Sequence, residues 1–277
     1  MNGSRRKAIF LIVLVLASAC CTAAIASQPP NATGPLAHRG LCLEAPENTL
    51  AAFRMALDAG FGFELDVWAS KDGHAVVIHD ATLQRTTDGH GKVSEKTLSE
   101  LKSLDAGSWF DEKFREERIP TLEEALRLVA EHARKDLTVA LHMKEFEPEL
   151  LEKTVRLVAA HGLLERTFAF GQPPDATRRM KRFDPRIRTV LADFADPRDF
   201  QKREIWSQVT SESECDGLWI HFVPTFEQMR EARAKEVPIY LYTPSSKAND
   251  WRRGHQAGVV FCSNHVKALT RVIGDNR

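Results

Sequence analysis

The chain has 277 residues, 38 lysines and arginines against 38 aspartates and glutamates, and a formal net charge of zero. That balance offers no global field to nucleic acid or to an acidic surface, and nucleic acid is excluded as a partner on this ground. With 43% hydrophobic and 27% charged residues, the composition is that of an ordinary globular protein, and the length suits one large domain.

In chain order, Arg5-Arg6-Lys7 precedes an apolar run from Ala8 to Ala19 that ends in small residues. These are the n-region and h-region of a secretory signal, and Ala24-Ile25-Ala26 fits a small-x-small cleavage site. The expectation is a signal peptide over residues 1–26 and export, to the periplasm or out of the cell. Ala17-Ser18-Ala19-Cys20 also resembles a lipoprotein box, which makes a lipid anchor at Cys20 the alternative. The run is short for a membrane-spanning helix. Residues 27–34 read as a disordered lead-in, in which Asn31-Ala32-Thr33 is a glycosylation sequon with meaning only in a eukaryotic secretory host. Cleavage leaves Cys42, Cys215 and Cys262, an odd number in a compartment that permits disulfides.

One domain is expected over residues 35–277. Pro35 to His38 reads as a short strand, followed by a helix capped at Asn48 with Leu50, Phe53 and Leu57 on one face. Phe63 to Val67 reads as a strand with Phe63, Leu65 and Val67 on one side and Glu64 and Asp66 on the other. Asp72-Gly73 is a hairpin turn that returns the chain through Val76-Val77-Ile78 to His79. The polar, glycine-containing stretch 80–118 that follows belongs with this hairpin to an insertion over about residues 68–118, after which Thr121 and Glu124 form a capping box.

Strand patterns then recur at 137–143, 167–171, 187–191, 217–221, 238–243 and 258–262, separated mostly by amphipathic segments. With the first two they make eight strand–helix units, which argues a parallel sheet closed into a (β/α)8 TIM barrel. An open doubly wound sheet would usually show a Gly-rich phosphate loop, and the sequence has none. Barrel closure makes the first and last strands neighbours and puts Cys42 and Cys262 near one rim, where a disulfide between them is a hypothesis. Cys215 is expected at the opposite end as a buried thiol.

The polar residues fall at the C-terminal ends of the strands, where barrel enzymes carry their chemistry. The first strand delivers His38 and Arg39, the second Glu64 and Asp66, and the third His142 and Lys144. Two carboxylates on one strand face are costly unless solvated, paired or bound to a cation. Arginine and lysine around them suit a phosphate, and histidines can move protons near neutral pH. Phosphoryl ester cleavage with a divalent cation is the reaction class that fits this set. Blander readings stay open. Glu47 could be a helix-start residue favoured by the dipole, Arg39 could merely pair with Glu47 or Glu64, and His142 could be a polar spacer. His221 ends the sixth strand and could face the mouth or not. The basic run Arg178, Arg179, Lys181, Arg182, Arg186 and Arg188 reads as a solvated surface or as contact with anionic lipid.

The order His38-Arg39-Gly40, Pro46-Glu47-Asn48-Thr49, Glu64-x-Asp66, Lys71-Asp72-Gly73, His79-Asp80 and Leu83-x-Arg85-Thr86-Thr87 continues with Leu104-Asp105-Ala106-Gly107 and Ile119-Pro120-Thr121-Leu122. This pattern resembles the glycerophosphodiester phosphodiesterase family, a group of phospholipase C-like phosphodiesterase barrels. The resemblance implies hydrolysis of glycerophosphodiesters to glycerol 3-phosphate and an alcohol, with His38 and His79 as the acid/base pair. It puts Arg39 and Glu47 in the substrate site, together with Lys144 and Tyr242. It makes Glu64 and Asp66 ligands of one Ca²⁺ or Mg²⁺ ion, and position 142 the third ligand. The substrate is then a small or lipid-derived phosphodiester; no protein partner is implied. Some members act on lysophospholipids, an alternative that the basic run and a Cys20 anchor would favour.

Three departures stand out. His142 replaces the family's glutamate, which should weaken hard-cation binding and favour Mn²⁺ or Zn²⁺ relatively. The family's Thr-Asp-x-Pro ending is altered in the segment Cys262-Ser263-Asn264-His265. Tyr242-Thr243 stands for Trp-Thr. A barrel that binds phosphoesters without turning them over is the alternative these changes raise.

Overall fold

The structure is a computed structural model and describes residues 34–132, 134–171, 173–194, 198, 215–244 and 246–274. The leader over 1–26, the Cys20 anchor, the Asn31 sequon and most of the lead-in lie outside the described residues. No helix among them is long and apolar enough to cross a membrane.

The first strand is short, β1 (Leu36–Ala37), and leads through a tight turn into α1 (Leu50–Asp58). In that turn Gly40 has φ +78° and lies against α1, where a Cβ would fall 2.7 Å from Ala52, so a residue with no side chain is required. The cap of α1 is Thr49, whose side chain accepts from the Ala52 amide, and not Asn48 as the sequence suggested. Asn48 adopts φ +58° and is buried facing β2, so its amide is spent elsewhere. β2 (Gly62–Ala69) turns through Gly73 into β3 (Ala75–Val77), which pairs antiparallel with it and forms the expected hairpin.

The insertion has a helix of its own, α2 (Leu98–Ser103), capped by a Thr97/Glu100 capping box. Val76, Ile78, Leu83, Val93, Leu101, Ala106 and Ile119 close a separate apolar cluster beneath it. The Thr121/Glu124 capping box forms as expected and starts α3 (Leu122–Glu131). After it come β4 (Val139–Met143), α4 (Pro148–Ala160), β5 (Thr167–Phe170), α5 (Pro174–Phe183) and β6 (Arg188–Phe194). The described chain ends with β7 (Gly217–Ile220), α6 (Phe226–Ala234), β8 (Ile239–Tyr242), α7 (Ala248–Ala257), β9 (Val260–Ser263) and α8 (Val266–Gly274).

Strand order is β1-β9-β8-β7-β6-β5-β4-β2-β3, and β1 also pairs with β2, so eight parallel strands close into a barrel with β3 as an outlier. The expected (β/α)8 architecture is present. Side-chain alternation does the rest. Phe63, Leu65, Val67, Val139, Leu141 and Met143 point outward and pack beneath the helices. Leu36, Ala140, Phe168, Val190, Trp219, Tyr240 and Cys262 point inward and fill the barrel floor. Two residues further along, some of the inward positions turn polar, as from Leu36 to His38 and from Ala140 to His142, while Phe170 and Ala192 stay apolar.

Cys42, Cys215 and Cys262 are all free thiols. The hypothetical Cys42–Cys262 bridge is absent because Cys262 belongs to the interior cluster level with Leu36, whereas Cys42 lies in the turn beyond Gly40. Cys215 is buried as expected, with its Sγ 3.9 Å from Thr177 Oγ1.

Candidate active site

Parallel pairing of β2 with β4 puts Asp66 level with His142 at the barrel mouth. His142 Nδ1 lies 3.1 Å from Asp66 Oδ1 and 3.8 Å from Glu64 Oε1. Lys144 Nζ reaches the same Asp66 Oδ1 at 3.1 Å, so the two-residue spacing on β4 brings both side chains to one side. The imidazole is held in place. It stacks on Phe170 at 4.5 Å between ring centroids, and a Cβ at Gly171 would fall 2.6 Å from its Cδ2.

Glu64 and Asp66 are completely buried side by side, yet Glu64 Oε1 and Asp66 Oδ1 each lack a well-aligned hydrogen bond. Burial and then the neighbouring Asp66 charge push the Glu64 carboxyl well above its ordinary range. Burial also pushes Asp66 upward, but contacts with His142 and Lys144 outweigh it and hold Asp66 well below. Two buried carboxylates forced apart in this way form a site short of positive charge. Glu64, Asp66 and His142 bring one ligand atom each within 4.8 Å of one another, which fits a single small cation. The next carboxylate along, Glu145, accepts from the Ala69 amide at 3.0 Å and does not replace the missing acid.

The remaining oxygens of the pair are spoken for. Asn48 donates to Asp66 Oδ2 at 2.8 Å and accepts from the Asp66 amide, while the Arg39 amide donates to Glu64 Oε2 at 3.1 Å. Arg39 takes φ +55°, a conformation that turns its backbone toward Glu64 and its guanidinium over Asp66, 3.5 Å from Nε to Oδ2. Arg39 Nη1 also donates to Glu47 Oε1 at 2.8 Å.

The two histidines are each oriented through Nδ1. His38 Nδ1 lies 2.6 Å from Asn264 Oδ1, and His79 Nδ1 lies 2.6 Å from Asp80 Oδ1. An oxygen acceptor behind Nδ1 selects the Nδ1–H tautomer and leaves Nε2 with its lone pair. His38 Nε2 is 3.8 Å from Glu64 Oε2, beside the carboxylate pair. Burial, with the Arg39 charge, pushes His38 down to about 4. Burial lowers His79 as well, against the opposing pull of Asp66 and Asp80. Tyr242 packs on His38 at 4.5 Å, and burial pushes its phenol up to about 12, so it stays protonated as a donor.

Every side chain expected at the site from sequence thus converges on the mouth: His38, Arg39, Glu47, Glu64, Asp66, His79, His142, Lys144 and Tyr242. His221 also faces the mouth, edge-on to Tyr242 at 5.6 Å. Four residues beyond that set complete it, namely Asn48, Asp80, Arg85 and Asn264. Asp80 and Arg85 lie inside recognised motifs without an assigned role, and Asn48 is read there as a helix cap. Asn264 is marked in the sequence only as part of the altered last-strand ending, with nothing to tie it to His38, 226 residues away. The basic run is largely compensated where its partners are described: Arg179 pairs with Asp175, Lys181 with Asp216 and Arg186 with Asp184.

A model of the glycerophosphoryl diester phosphodiesterase family matches residues 38–266. The chain is 42% identical over 160 residues to a glycerophosphodiester phosphodiesterase of Caldanaerobacter subterraneus subsp. tengcongensis, a match covering 56% of this chain and 65% of the relative. It is 34% identical over 186 residues to one of Bacillus subtilis, covering 62% and 63% respectively. The chain spans a little under two thirds of each of these relatives. Among solved structures, a phosphodiesterase of Oleispira antarctica in complex with the product sn-glycerol-3-phosphate is similar with a TM-score of 0.75 at 28% identity, covering 87% of this chain and 96% of that one. A glycerophosphodiester phosphodiesterase from Agrobacterium tumefaciens is similar with a TM-score of 0.71 at 28% identity, covering 86% and 99%.

Proposed function

The chain belongs to the glycerophosphoryl diester phosphodiesterase family, and from that premise we propose that it hydrolyses glycerophosphodiesters to glycerol 3-phosphate and an alcohol. The observation that carries the reading is the pair of oriented histidines, His38 and His79, set around the buried Glu64–Asp66 pair. Glu64, Asp66 and His142 would hold one divalent cation, which when bound supplies Lewis-acid stabilisation of negative charge on the phosphoryl group. Their mixed oxygen and nitrogen donors fit Mn²⁺ or Zn²⁺ better than the all-oxygen preference of Ca²⁺ or Mg²⁺.

The protein's own groups divide the remaining work. Arg39, gripped by Glu47, and Lys144 offer positive charge to the phosphate oxygens. His38, backed by a neutral amide and held neutral through pH 7, is suited to accept a proton from the attacking oxygen. His79, backed by an ionised carboxylate that stabilises imidazolium, is suited to protonate the leaving alcohol. The substrate is a small or lipid-derived phosphodiester. A leader of the kind read over residues 1–26 would put this reaction outside the cytoplasm.

The direct test is release of glycerol 3-phosphate from glycerophosphocholine by the metal-stripped protein, titrated with Mn²⁺, Zn²⁺, Mg²⁺ and Ca²⁺. Turnover should appear on metal addition and vanish with chelator; no turnover with any of the four ions would refute the reading. A lysophospholipid assayed in parallel identifies the alternative substrate.

The role of Asn264 leads to a pH prediction. His38 must be neutral to accept a proton, and its pKa of about 4 keeps it so down to acid pH. Asn264→Asp places a negative charge 2.6 Å from Nδ1, which favours imidazolium and raises the His38 pKa. The acidic limb of the kcat/KM profile should therefore move to higher pH. An unmoved or acid-shifted limb would show that His38 is not the base.

A further inference from the structure

Arg85 lies on the insertion, away from the barrel strands, yet it joins two parts of the site. Its Nη1 and Nη2 donate to the two oxygens of Glu47 at 2.9 and 2.7 Å. Its Nε and Nη2 donate to the two oxygens of Asp80 at 2.7 and 3.1 Å. One planar fork thus grips two carboxylates at once, and each carboxylate already holds a working group. Glu47 holds Arg39 Nη1 at 2.8 Å, and Asp80 holds His79 Nδ1 at 2.6 Å. The resulting chain, Arg39–Glu47–Arg85–Asp80–His79, is unbroken from the phosphate-binding arginine to the acid/base histidine. Thr86 and Thr87, next to Arg85 on the insertion, line one small cavity together with Glu47 and His79.

We infer that Arg85 is a positioning residue that fixes His79 through Asp80 and Arg39 through Glu47, making the insertion a working part of the active site. The inference rests on the phosphodiesterase reading above for its kinetic consequences but not for its geometry. Asp80 and Glu47 sit on different loops, after β3 and after β1, and Arg85 hydrogen-bonds both. Without Arg85 each carboxylate is free to rotate, and the Asp80 oxygen behind Nδ1 is no longer fixed. His79 then samples both neutral tautomers, and the fraction with Nδ1–H on Asp80 and the Nε2 lone pair directed at the site falls. The Arg85 side chain is 43% exposed, and ion pairs at that exposure contribute little to folding. A merely structural role predicts loss of stability in step with activity; a positioning role predicts loss of kcat with the fold intact. Lysine cannot substitute, because a point charge does not span two carboxylates bidentately.

The test compares Arg85→Ala, Arg85→Lys, Asp80→Ala and the Arg85→Ala/Asp80→Ala double variant in the full chain. Misplacement of a reacting group by about 1 Å can cost roughly 10²-fold, so Arg85→Ala should lower kcat for glycerophosphocholine by about 10–100-fold with an unchanged thermal midpoint. Arg85→Lys should recover little of that loss. The exposed position admits a small ion, so millimolar guanidinium should restore activity to Arg85→Ala where equal sodium chloride does not. The double variant should lose clearly less than the product of the two single losses, because Asp80→Ala already breaks the His79 branch and Arg85→Ala then adds only the freeing of Glu47 and Arg39. Histidine-ring ¹⁵N spectra of the metal-free protein give a readout that needs no activity. His79 should show the Nδ1–H tautomer in the native protein and a mixture in Arg85→Ala. Losses that multiply in the double variant, or an unaltered His79 spectrum, would overturn the inference. A native protein that turns over no phosphodiester, but whose His79 spectrum changes as expected, would refute the functional reading and leave the positioning role standing.

Discussion

Changing His79 to alanine should lower kcat on glycerophosphocholine by about 10²–10⁴-fold, and His38→Ala should do the same, the range for loss of a positioned acid or base. Both rings sit beside the buried carboxylates and both are held through Nδ1, so neither loss should be accompanied by large rearrangement. Their roles separate when the leaving group is changed. An alcohol leaves poorly without a proton, whereas p-nitrophenolate leaves readily without one. On a p-nitrophenyl phosphodiester, His79→Ala should therefore recover most of its loss, while His38→Ala should not. The different surroundings supply the reason: burial and the Arg39 charge, with only the neutral amide of Asn264 behind Nδ1, leave His38 a weak base that is neutral at working pH, and Asp80, held down to about 2 by the hydrogen bond from Arg85, is a full charge behind His79. Recovery by His38→Ala instead would exchange the roles. Near-native turnover in both single variants would remove the histidines from the mechanism altogether.

The parts of this site that sequence makes legible are those in which partners are close along the chain or follow strand period. Glu64 and Asp66 share a face because β-strand side chains alternate, and His142 and Lys144 meet Asp66 for the same reason. Eight strand–helix units impose closure, and closure sets β1 beside β9. Contacts that depend on the folded details were not legible. Asn48 looks like a helix cap from its neighbours alone, but its partner Asp66 is 18 residues away on another element, and Thr49 takes the cap instead. Arg85 bonds to Glu47, 38 residues earlier, across a loop whose path no local pattern specifies. The Cys42–Cys262 hypothesis took rim proximity as sufficient; strand register points Cys262 into the barrel. The aromatic support of His142 is illegible in the sequence for the same reason, since Phe170 and Gly171 reach it from the neighbouring strand and the turn after it.

That support makes position 142 the place where the identity of the metal is decided, and His142→Glu should reverse the ion preference. In the native protein an imidazole ligand would contribute no charge to a bound cation, and Glu64 and Asp66 would carry the electrostatics alone. A third carboxylate adds an attraction of several kcal/mol even at an effective dielectric of about 20. Much of that is offset by repulsion from Glu64 and Asp66 and by desolvation, leaving a gain in Mg²⁺ or Ca²⁺ affinity of roughly 10–100-fold, as large as the effects that partners behind the ligands already have. Zn²⁺, which binds imidazole well, should lose affinity relative to them. The metal-free variant carries the cost openly. Three buried acids without a cation repel one another, so its thermal midpoint should fall below that of the native protein and rise on Mg²⁺ addition by mass action. Titration calorimetry of metal-stripped protein measures the affinities, and buffers of different ionisation enthalpy reveal the proton that Glu64, pushed well above its ordinary range, should release when metal binds. Identical ion preferences in the two proteins would show that His142 is not a ligand. Hydrolysis that appears only after His142→Glu would show something else: a barrel whose histidine substitution retained phosphoester binding and gave up turnover.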